Sequence, residues 1–326
     1  MAELPNAIGG YFGLELPPGS QAFHPGTLAF QSARAAFLAL LRARRPRRVW
    51  LPRYVCDALV APLQVAGIPF EFYSLTDDFE VADDLRPGVH DWIVCVRYFG
   101  IFDAPYRSAA AKFGADRIVA DHAQAWFSPP ADGVATLYSP RKFFGIPDGG
   151  LLASNGVTDV PPPPPFAGPA RAAHLFKRLT DGAEAGYADY LASEEALVAL
   201  EPSAMSELAR RILSGIDMER IAAVRRQNFE FLHARLGAAN QLACQAGAAD
   251  GVPLCYPLLT TDSSLREALR KERIYTATYW SDVLPRCEPA SLEARLACNL
   301  VAVPCDQRYG AAELQRVVDA IDRLLG

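Results

Sequence analysis

Short apolar stretches alternate with helical patterns through the first half of the chain, and this alternation limits the folds that it can adopt. The predicted strands are continuously apolar, so both of their faces are expected to be covered. Such strands, separated by helices, are typical of a mostly parallel α/β sheet. We predict strands at 48–51, 70–73, 92–96, 117–120, 134–138 and 150–153, and helices at 30–41, 55–66 and 104–113.

The second half of the chain has a different character. A run of five prolines at 161–165 must be extended, and we interpret it as a rigid surface connection rather than a partner-recognition motif. We then predict helical stretches and a smaller α/β unit, which divides the chain into a large domain over 1–204 and a small C-terminal α/β domain over 205–326. The predicted helices are at 170–200, 205–236, 263–272 and 311–325, and the predicted strands are near 252–258, 274–278 and 299–304.

Composition and charge exclude several classes of protein. The 326 residues are 51% hydrophobic and 21% charged, and the net charge of -5 gives no general attraction to nucleic acid or anionic membranes. A local cluster of arginines follows the first predicted helix, and we interpret it as a solvated helix end rather than a nucleic-acid patch. The cluster consists of Arg42, Arg44, Arg45, Arg47 and Arg48.

Cysteines and terminal patterns bear on the compartment. Seven cysteines, an odd number without CxxC spacing, favour buried thiols in a reducing environment over disulfides or zinc. The N-terminal residues 1–5 do not have the pattern of a signal peptide, and no run of about eighteen apolar residues is present. We therefore expect a cytoplasmic protein. The five histidines have no metal-binding spacing, and no nucleophile elbow or phosphate-binding loop motif occurs.

Lys142 and Asp121 are the strongest chemical signal. Asp121 ends one predicted apolar strand, and Lys142 follows the next strand, shortly before Gly149 and Gly150. Ligands of parallel sheets bind beyond the carboxyl ends of the strands. A lysine there could hold the aldehyde of pyridoxal phosphate (PLP) as a Schiff base, with Asp121 paired to the pyridine nitrogen. The alternatives are a surface lysine and a loop or helix-capping aspartate.

The order of these motifs resembles the DegT-type sugar aminotransferases, which have the PLP-dependent fold type I. The resemblance extends over residues 25–325. It implies a three-layer aspartate-aminotransferase-like fold with a mostly parallel central sheet, a smaller C-terminal α/β domain and a homodimer. It also implies transfer of an amino group, with glutamate as the expected donor, to a keto group of a sugar nucleotide or related metabolite. The matching segments are 96–100 (VRYFG), 121–124 (DHAQ), 139–142 (SPRK), 148–150 (DGG), 273–277 and 301–304.

The resemblance assigns roles to individual residues. Lys142 would form the Schiff base and carry the proton of transamination, while Asp121 would pair with the ring nitrogen. Ala123 would pack on one face of the ring, Gln124 would reach the side of the phenolic oxygen, and Ser139 would donate to the phosphate.

The resemblance also places the phosphate at the start of the first predicted helix. Ser32, Ala33 and Arg34 stand where family members present a Gly-Thr pair, and helix N-termini suit phosphate dianions. Arg34 either adds positive charge there or is a solvated residue of the first turn.

Several positions depart from the family pattern. Leu137 replaces a serine, and Cys56 stands at the position of the ring-stacking aromatic residue, with Tyr54 nearby. The segment that a neighbouring subunit usually lends to the site is reduced to Met205 and Ser206. These departures leave open a PLP-fold protein that has a binding or regulatory role without transaminase activity. A PLP-dependent sugar dehydratase is a further alternative, which a lysine at 142 disfavours because such relatives have histidine. His122 is either a proton-transfer or stacking group or a packing residue.

Overall fold

The structure is a computed structural model that describes residues 14–17, 19, 24–154, 160–166, 171–198, 201–243 and 251–325. Cys244 and residues 1–5, which the cysteine and signal-peptide predictions include, lie outside the described residues. Among the described helices, none is both long and apolar enough to cross a membrane.

A seven-stranded sheet forms the centre of the first half, as the alternating pattern predicts. The strand order is β1-β7-β6-β5-β4-β2-β3. The five strands from β6 to β3 run parallel, whereas β7 is antiparallel to both β6 and β1. The prediction of a mostly parallel α/β sheet is therefore confirmed. The strands are β1 (Leu28–Phe30), β2 (Arg48–Pro52), β3 (Phe70–Tyr73), β4 (Asp91–Val96), β5 (Ile118–His122), β6 (Ala135–Tyr138) and β7 (Gly150–Ala153).

Three helices connect these strands: α1 (Ala33–Arg44), α2 (Val60–Ala66) and α3 (Ala104–Phe113). Helix α1 begins later than predicted because Phe30 belongs to β1 and the Ser32 hydroxyl caps the helix by accepting from the Ala35 amide (3.1 Å). Helix α2 ends as predicted at Gly67, which has a left-handed conformation (φ 64°).

The prediction of helix from residue 55 is wrong. Helix α2 begins only at Val60, because tertiary hydrogen bonds hold the preceding segment in an irregular conformation. The backbone carbonyls of Arg53 and Val55 both accept hydrogen bonds from the Arg286 guanidinium. Helical propensity is a weak preference that such contacts override.

The second half contains most of the remaining helices and a two-stranded antiparallel sheet. The predicted strand at 274–278 is wrong, since only one isolated bridge joins Ala277 to Ala302. The predicted helix over 205–236 is broken near Gly215. The elements are α4 (Ala173–Asp181), α5 (Tyr187–Val198), α6 (Glu207–Ser214), α7 (Met218–Leu236), β8 (Tyr256–Leu259), α8 (Leu265–Lys271), α9 (Leu292–Asn299), β9 (Leu300–Val303) and α10 (Ala311–Leu325).

The structure bears on the predictions for the proline run and for the cysteines. The proline run has neither helix nor strand, and the Pro164 carbonyl accepts from the Ala204 amide (2.7 Å). Among the six cysteines in the described residues, none forms a disulfide, and Cys95, Cys255 and Cys305 are buried. Cys298 is exposed, so the prediction of burial is wrong for that thiol.

Candidate functional site

The candidate site lies at the edge of the sheet where the parallel strands β4, β5 and β6 end. Asp121 is the penultimate residue of β5 and pairs in register with Val96 on one side and Leu137 on the other. Lys142 ends a short 3-10 helix at Pro140–Lys142, directly after β6, and its amide donates to the Ser139 carbonyl (3.2 Å). The topology thus delivers the acid and the lysine to one edge of the sheet.

Asp121 is a buried acid with one defined partner. Its side chain is 7% exposed, and its Oδ1 accepts from the Ala123 amide (2.8 Å). Burial raises the pKa of the Asp121 carboxyl, while the positive charge of Lys142 acts in the opposite direction. The ammonium of Lys142 is therefore close enough to act on the carboxylate.

Cys56 lies in the same electrostatic environment. Burial raises the pKa of the Cys56 thiol; Lys142 and Arg34 lower it, and Asp121 raises it further. Four of the residues that the resemblance selects, Cys56, Lys142, Asp121 and Arg34, are therefore brought together, although they are distant in the sequence. The Lys142 side chain has no hydrogen bond or ion pair with any of the described residues, so its amine is available.

Close packing of a glycine pair fixes the start of helix α1. A Cβ atom on Gly150 would lie 2.1 Å from the Ala33 nitrogen, and the Gly149 amide donates to the Gln31 carbonyl (2.7 Å). Strand β7 can approach the helix start only because Gly150 has no side chain. The Ser32 hydroxyl accepts from the Ala35 amide, which leaves its own hydrogen free to donate.

The aspartate of the Asp148-Gly-Gly segment has a structural function that the sequence did not reveal. Asp148 is buried, and its Oδ1 accepts from the Ser206 amide (2.8 Å) at the start of α6. Burial raises the pKa of the Asp148 carboxyl, and the hydrogen bonds from Ser206 oppose that shift. The three residues thereby connect β7, the start of α1 and the start of α6.

Arg34 is not a solvated residue of the first turn. Its Nη2 lies 3.7 Å from Glu194 Oε2 on helix α5, and Arg141, the neighbour of Lys142, also pairs with Glu194. The guanidinium side chains of Arg34 and Arg141 are only 22% and 13% exposed. Glu194 therefore offsets one of the two positive charges that these partly buried arginines place beside the site.

Two further predicted residues are buried beneath the site. The Tyr54 hydroxyl donates to the Tyr279 carbonyl, and the Tyr54 carbonyl accepts from the Tyr98 hydroxyl (2.6 Å). Gln124 Oε1 accepts from the Phe99 amide (2.7 Å), whereas its buried Nε2 has no hydrogen-bond partner among the described residues. A buried amide without a partner is costly, so Nε2 is suited to bind an acceptor atom of a ligand.

Trp280 is a site residue that sequence reasoning missed. Its ring centroid lies 5.8 Å from Lys142 Nζ and 5.0 Å from the Tyr54 ring. The predicted strand at 274–278 gives no reason to place the aromatic residues after it beside Lys142. Two adjacent aromatic residues, Tyr279 and Trp280, were the only available signal.

Reciprocal hydrogen bonds hold the segment that carries Trp280 against the loop that carries Cys56. Arg53 Nη1 donates to the Arg286 carbonyl (2.6 Å), and Arg286 Nε donates to the Arg53 carbonyl (3.0 Å). Arg286 Nη1 also donates to Asp57 Oδ1 (2.9 Å). The site is therefore built from both halves of the chain.

His122 points away from this site. Side chains alternate along a strand, so His122 lies on the opposite face of β5 from Asp121. Its ring contacts Tyr138 edge-on at a centroid distance of 5.5 Å, and burial lowers the pKa of His122 to about 3. The structure thus favours the packing role over proton transfer. The described residues contain no cluster of ligands that could hold a metal ion.

Comparison with solved structures identifies the fold. Similar structures include a DegT DnrJ EryC1 StrS aminotransferase from Brucella abortus (TM-score 0.66, 16% identity, covering 92% of this chain and 86% of that one). The sugar aminotransferase CalS13 from Micromonospora echinospora has a TM-score of 0.62 and 16% identity, covering 92% of this chain and 88% of that one. PseC from Helicobacter pylori, an aminotransferase of pseudoaminic acid biosynthesis, has a TM-score of 0.61 and 13% identity, covering 92% and 86%. No protein-family model and no curated protein matches the sequence. The chain therefore has the fold of the DegT-type sugar aminotransferases, as the motif resemblance implied.

Proposed function

We propose that this protein is a PLP-dependent aminotransferase that moves an amino group, with glutamate as the donor, to a keto group of a sugar nucleotide or related metabolite. One observation carries the proposal: a lysine without a side-chain partner among the described residues and a buried aspartate follow adjacent parallel strands to the same carboxyl edge of the sheet. The fold supports it, since the similar structures include the putative sugar aminotransferase Spr1654 from Streptococcus pneumoniae in a PLP form.

The residues of the site suit PLP, which when bound supplies an electron sink for charge that develops at the substrate carbon. Lys142 would hold the cofactor's aldehyde and then move a proton to and from the substrate. Asp121 would accept a hydrogen bond from the protonated ring nitrogen. A cation there would offset the effect of burial, which raises the pKa of Asp121.

The remaining contacts would orient the cofactor. The amides at the start of α1, together with the hydroxyls of Ser32 and Ser139, would bind the phosphate. The unpartnered Nε2 of Gln124 would donate to the phenolic oxygen. Ala123 and Trp280 would cover the ring, and Cys56 would line the pocket. We assign the following residues to the site: Ser32, Ala33, Arg34, Tyr54, Cys56, Asp121, Ala123, Gln124, Ser139, Lys142 and Trp280.

We also propose that two copies of the chain associate through helices α4 and α5. These helices expose large apolar side chains, which are unfavourable in contact with water. Glu194 on α5 pairs with Arg141 beside Lys142, so this surface lies next to the site. The exposed side chains are Phe176, Leu179, Tyr187, Tyr190, Leu191 and Val198. The large domain over 1–204 would carry this surface, and the domain over 205–326 would supply Trp280 to the site. A reducing cytoplasm would suit the free thiols.

The lysine can be tested directly. Purified protein should acquire visible absorbance with added PLP, and after borohydride reduction the pyridoxyl mass should lie on the peptide that contains Lys142. Lys142→Ala should lose both signals. Lys177→Ala, which removes an exposed lysine paired with Asp189, should keep them. Retention of both signals in Lys142→Ala would refute the assignment.

Activity is tested separately with glutamate. The loaded protein should convert glutamate to 2-oxoglutarate in a single turnover and lose its visible band as it does so. The competing hypothesis is that the protein binds PLP without transferring amino groups. It is favoured by Ala204, which stands where the family's guanidinium would be and whose methyl side chain offers no charge to a ligand. PLP bound at Lys142 but unchanged by every amino donor would support that hypothesis.

A further inference from the structure

A second cleft lies at the opposite edge of the sheet from Lys142. It has a volume of about 530 Å³ and is lined by the residues that precede or begin β2, β4 and β5. These strands are parallel, so their amino ends share one edge, roughly 20 Å from their carboxyl ends for strands of five to six residues. The cleft is therefore separate from the proposed PLP site.

Positive charge dominates this cleft. Its lining includes the guanidinium groups of Arg44, Arg45, Arg47 and Arg117, against the carboxylates of Asp91 and Asp116. Arg45 and Arg47 are exposed, and neither side chain has an acidic partner among the described residues. The protein as a whole carries a net charge of -5, so the excess of positive charge in the cleft is opposite in sign to the net charge of the chain.

The wall of the cleft is held in place by contacts that do not involve the side chains of Arg45 and Arg47. Asp91 accepts hydrogen bonds from Trp50 Nε1 (3.0 Å) and from the Gly88 amide (2.8 Å), both neutral donors. Arg117 Nη2 donates to the Gly88 carbonyl (2.6 Å). These bonds fix the turn before β4 and position Arg117 at the rim.

A solvated helix end accounts for only part of this cluster. The carbonyls at the end of α1 stabilise Arg44, which lies in the last turn. Arg47 lies beyond the helix, and Arg117 comes from a different part of the chain. The helix dipole therefore gives no reason for these two arginines to line the same cleft.

Apolar groups stand beside the arginines. Trp92 is half-buried in the cleft wall, Val89 is 76% exposed, and Pro46 lies between two of the lining arginines. Guanidinium groups bind phosphate oxygens bidentately, and an indole offers a flat face for a heterocyclic base. We propose that this cleft binds a small organic diphosphate of the nucleoside diphosphate class, with its phosphates among the arginines and its base against Trp92. This proposal does not depend on the proposed aminotransferase function.

Calorimetry with adenosine diphosphate and the full chain tests the cleft. The double variant Arg45→Asn/Arg47→Gln removes two lining charges, and asparagine suits the left-handed backbone of residue 45 (φ 44°). We expect its affinity to fall at least tenfold. The control Arg107→Gln/Arg270→Gln removes the same charge from two exposed arginines that pair within helices or at helix ends, and it should bind like the unmodified protein. Lys142→Ala should also bind normally.

Other probes separate the competing explanations. Adenosine should bind far more weakly than the diphosphate, and inorganic pyrophosphate should bind at least tenfold more weakly because it has no base. Equal affinity for pyrophosphate would reduce the cleft to an unspecific anion site and overturn the proposal. It would likewise be overturned by an equal loss of affinity in the control variant, by no binding at millimolar concentration, or by tighter binding of a single-stranded oligonucleotide.

Discussion

The charge state of single side chains decides how readily the proposed site can accept an anion. Arg34 and Arg141 are partly buried beside Lys142, but both pair with Glu194. One carboxylate offsets only one of the two positive charges, so a phosphate or substrate carboxylate would meet a net single positive charge on this side of the site. Glu194 therefore sets the electrostatic potential at this side of the site.

Glu194→Gln should tighten the binding of PLP. Removing the carboxylate leaves the two guanidinium charges uncompensated, and we expect a roughly threefold lower dissociation constant, in the range of a partly exposed ion pair. A fluorescence or absorbance titration measures it. Glu195→Gln changes the exposed neighbouring acid and should have no effect. Weaker binding in Glu194→Gln would show instead that the ion pairs position the arginines.

Trp280 should report on the cofactor directly. Its ring lies 5.8 Å from Lys142 Nζ, so a pyridoxyl group on this lysine would quench its fluorescence. We expect Trp280→Phe to lose most of the quenching that PLP causes in the unmodified protein. Trp50→Phe, which removes an indole bonded to Asp91 at the other edge of the sheet, should keep it. Unchanged quenching in Trp280→Phe would place the cofactor elsewhere.

His122 should make the protein sensitive to acid. Burial lowers its pKa to about 3, whereas in the unfolded chain its pKa is near the ordinary histidine value of 6.5. Between pH 6.5 and 3 the unfolded state binds more protons than the folded state. The contribution of His122 to the free energy of unfolding is therefore fully present above pH 6.5 and is lost as the pH falls towards 3. The loss contributes up to about 1.4 kcal/mol per pH unit. Urea unfolding between pH 7 and 4 should show a shallower decline in His122→Gln and an unchanged one in His90→Gln, which alters an exposed histidine.

For helices and strands, sequence patterns predicted those boundaries that neighbouring residues in the chain determine. Helix α3 matches its prediction because Gly114 ends it, and strands β3 and β7 match because turn residues flank short apolar runs. The patterns failed where distant contacts decide the outcome. Arg286 prevents the segment after β2 from being helical, and one bridge to Ala302 replaces a predicted strand. Trp280 could not be found for the same reason, since its place beside Lys142 depends on tertiary packing.

Gly150→Ala tests the junction of β7 and α1. Its Cβ would lie 2.1 Å from the Ala33 nitrogen, in backbone that cannot move without displacing the helix. We expect the free energy of unfolding to fall by about 3 kcal/mol, as for a severe overpacking. In the control Gly67→Ala, no atom lies within 4 Å, and only the positive φ of 64° costs stability, about 1 kcal/mol. Equal effects in urea unfolding would contradict the packing explanation.

For the molecule as a whole, Arg286 connects the two halves. Its side chain is 14% exposed, binds the carbonyls of Arg53 and Val55, pairs with Asp57 and lies over the Phe72 ring at 4.6 Å. Few side chains in the described structure serve so many partners across such a sequence separation.

Arg286→Met should destabilise the whole protein. It leaves two backbone carbonyls without their donor, and we expect the free energy of unfolding to fall by about 3 kcal/mol. Arg295→Met removes an ion pair with Asp77 in which the two side chains are 43% and 77% exposed, and it should cost less than about 1 kcal/mol. Denaturant unfolding measures both, and a difference below the experimental error would refute the role of Arg286.

The contact between Lys142 and Trp280 has a consequence for how the protein is made. A ribosome would release the lysine and its sheet well before the segment that carries the indole emerges. Until then the amine would stand uncovered and open to any aldehyde in the cell. For the proposed PLP site, lasting capture of the cofactor would thus be a late event in biogenesis, set by the arrival of the last quarter of the polypeptide.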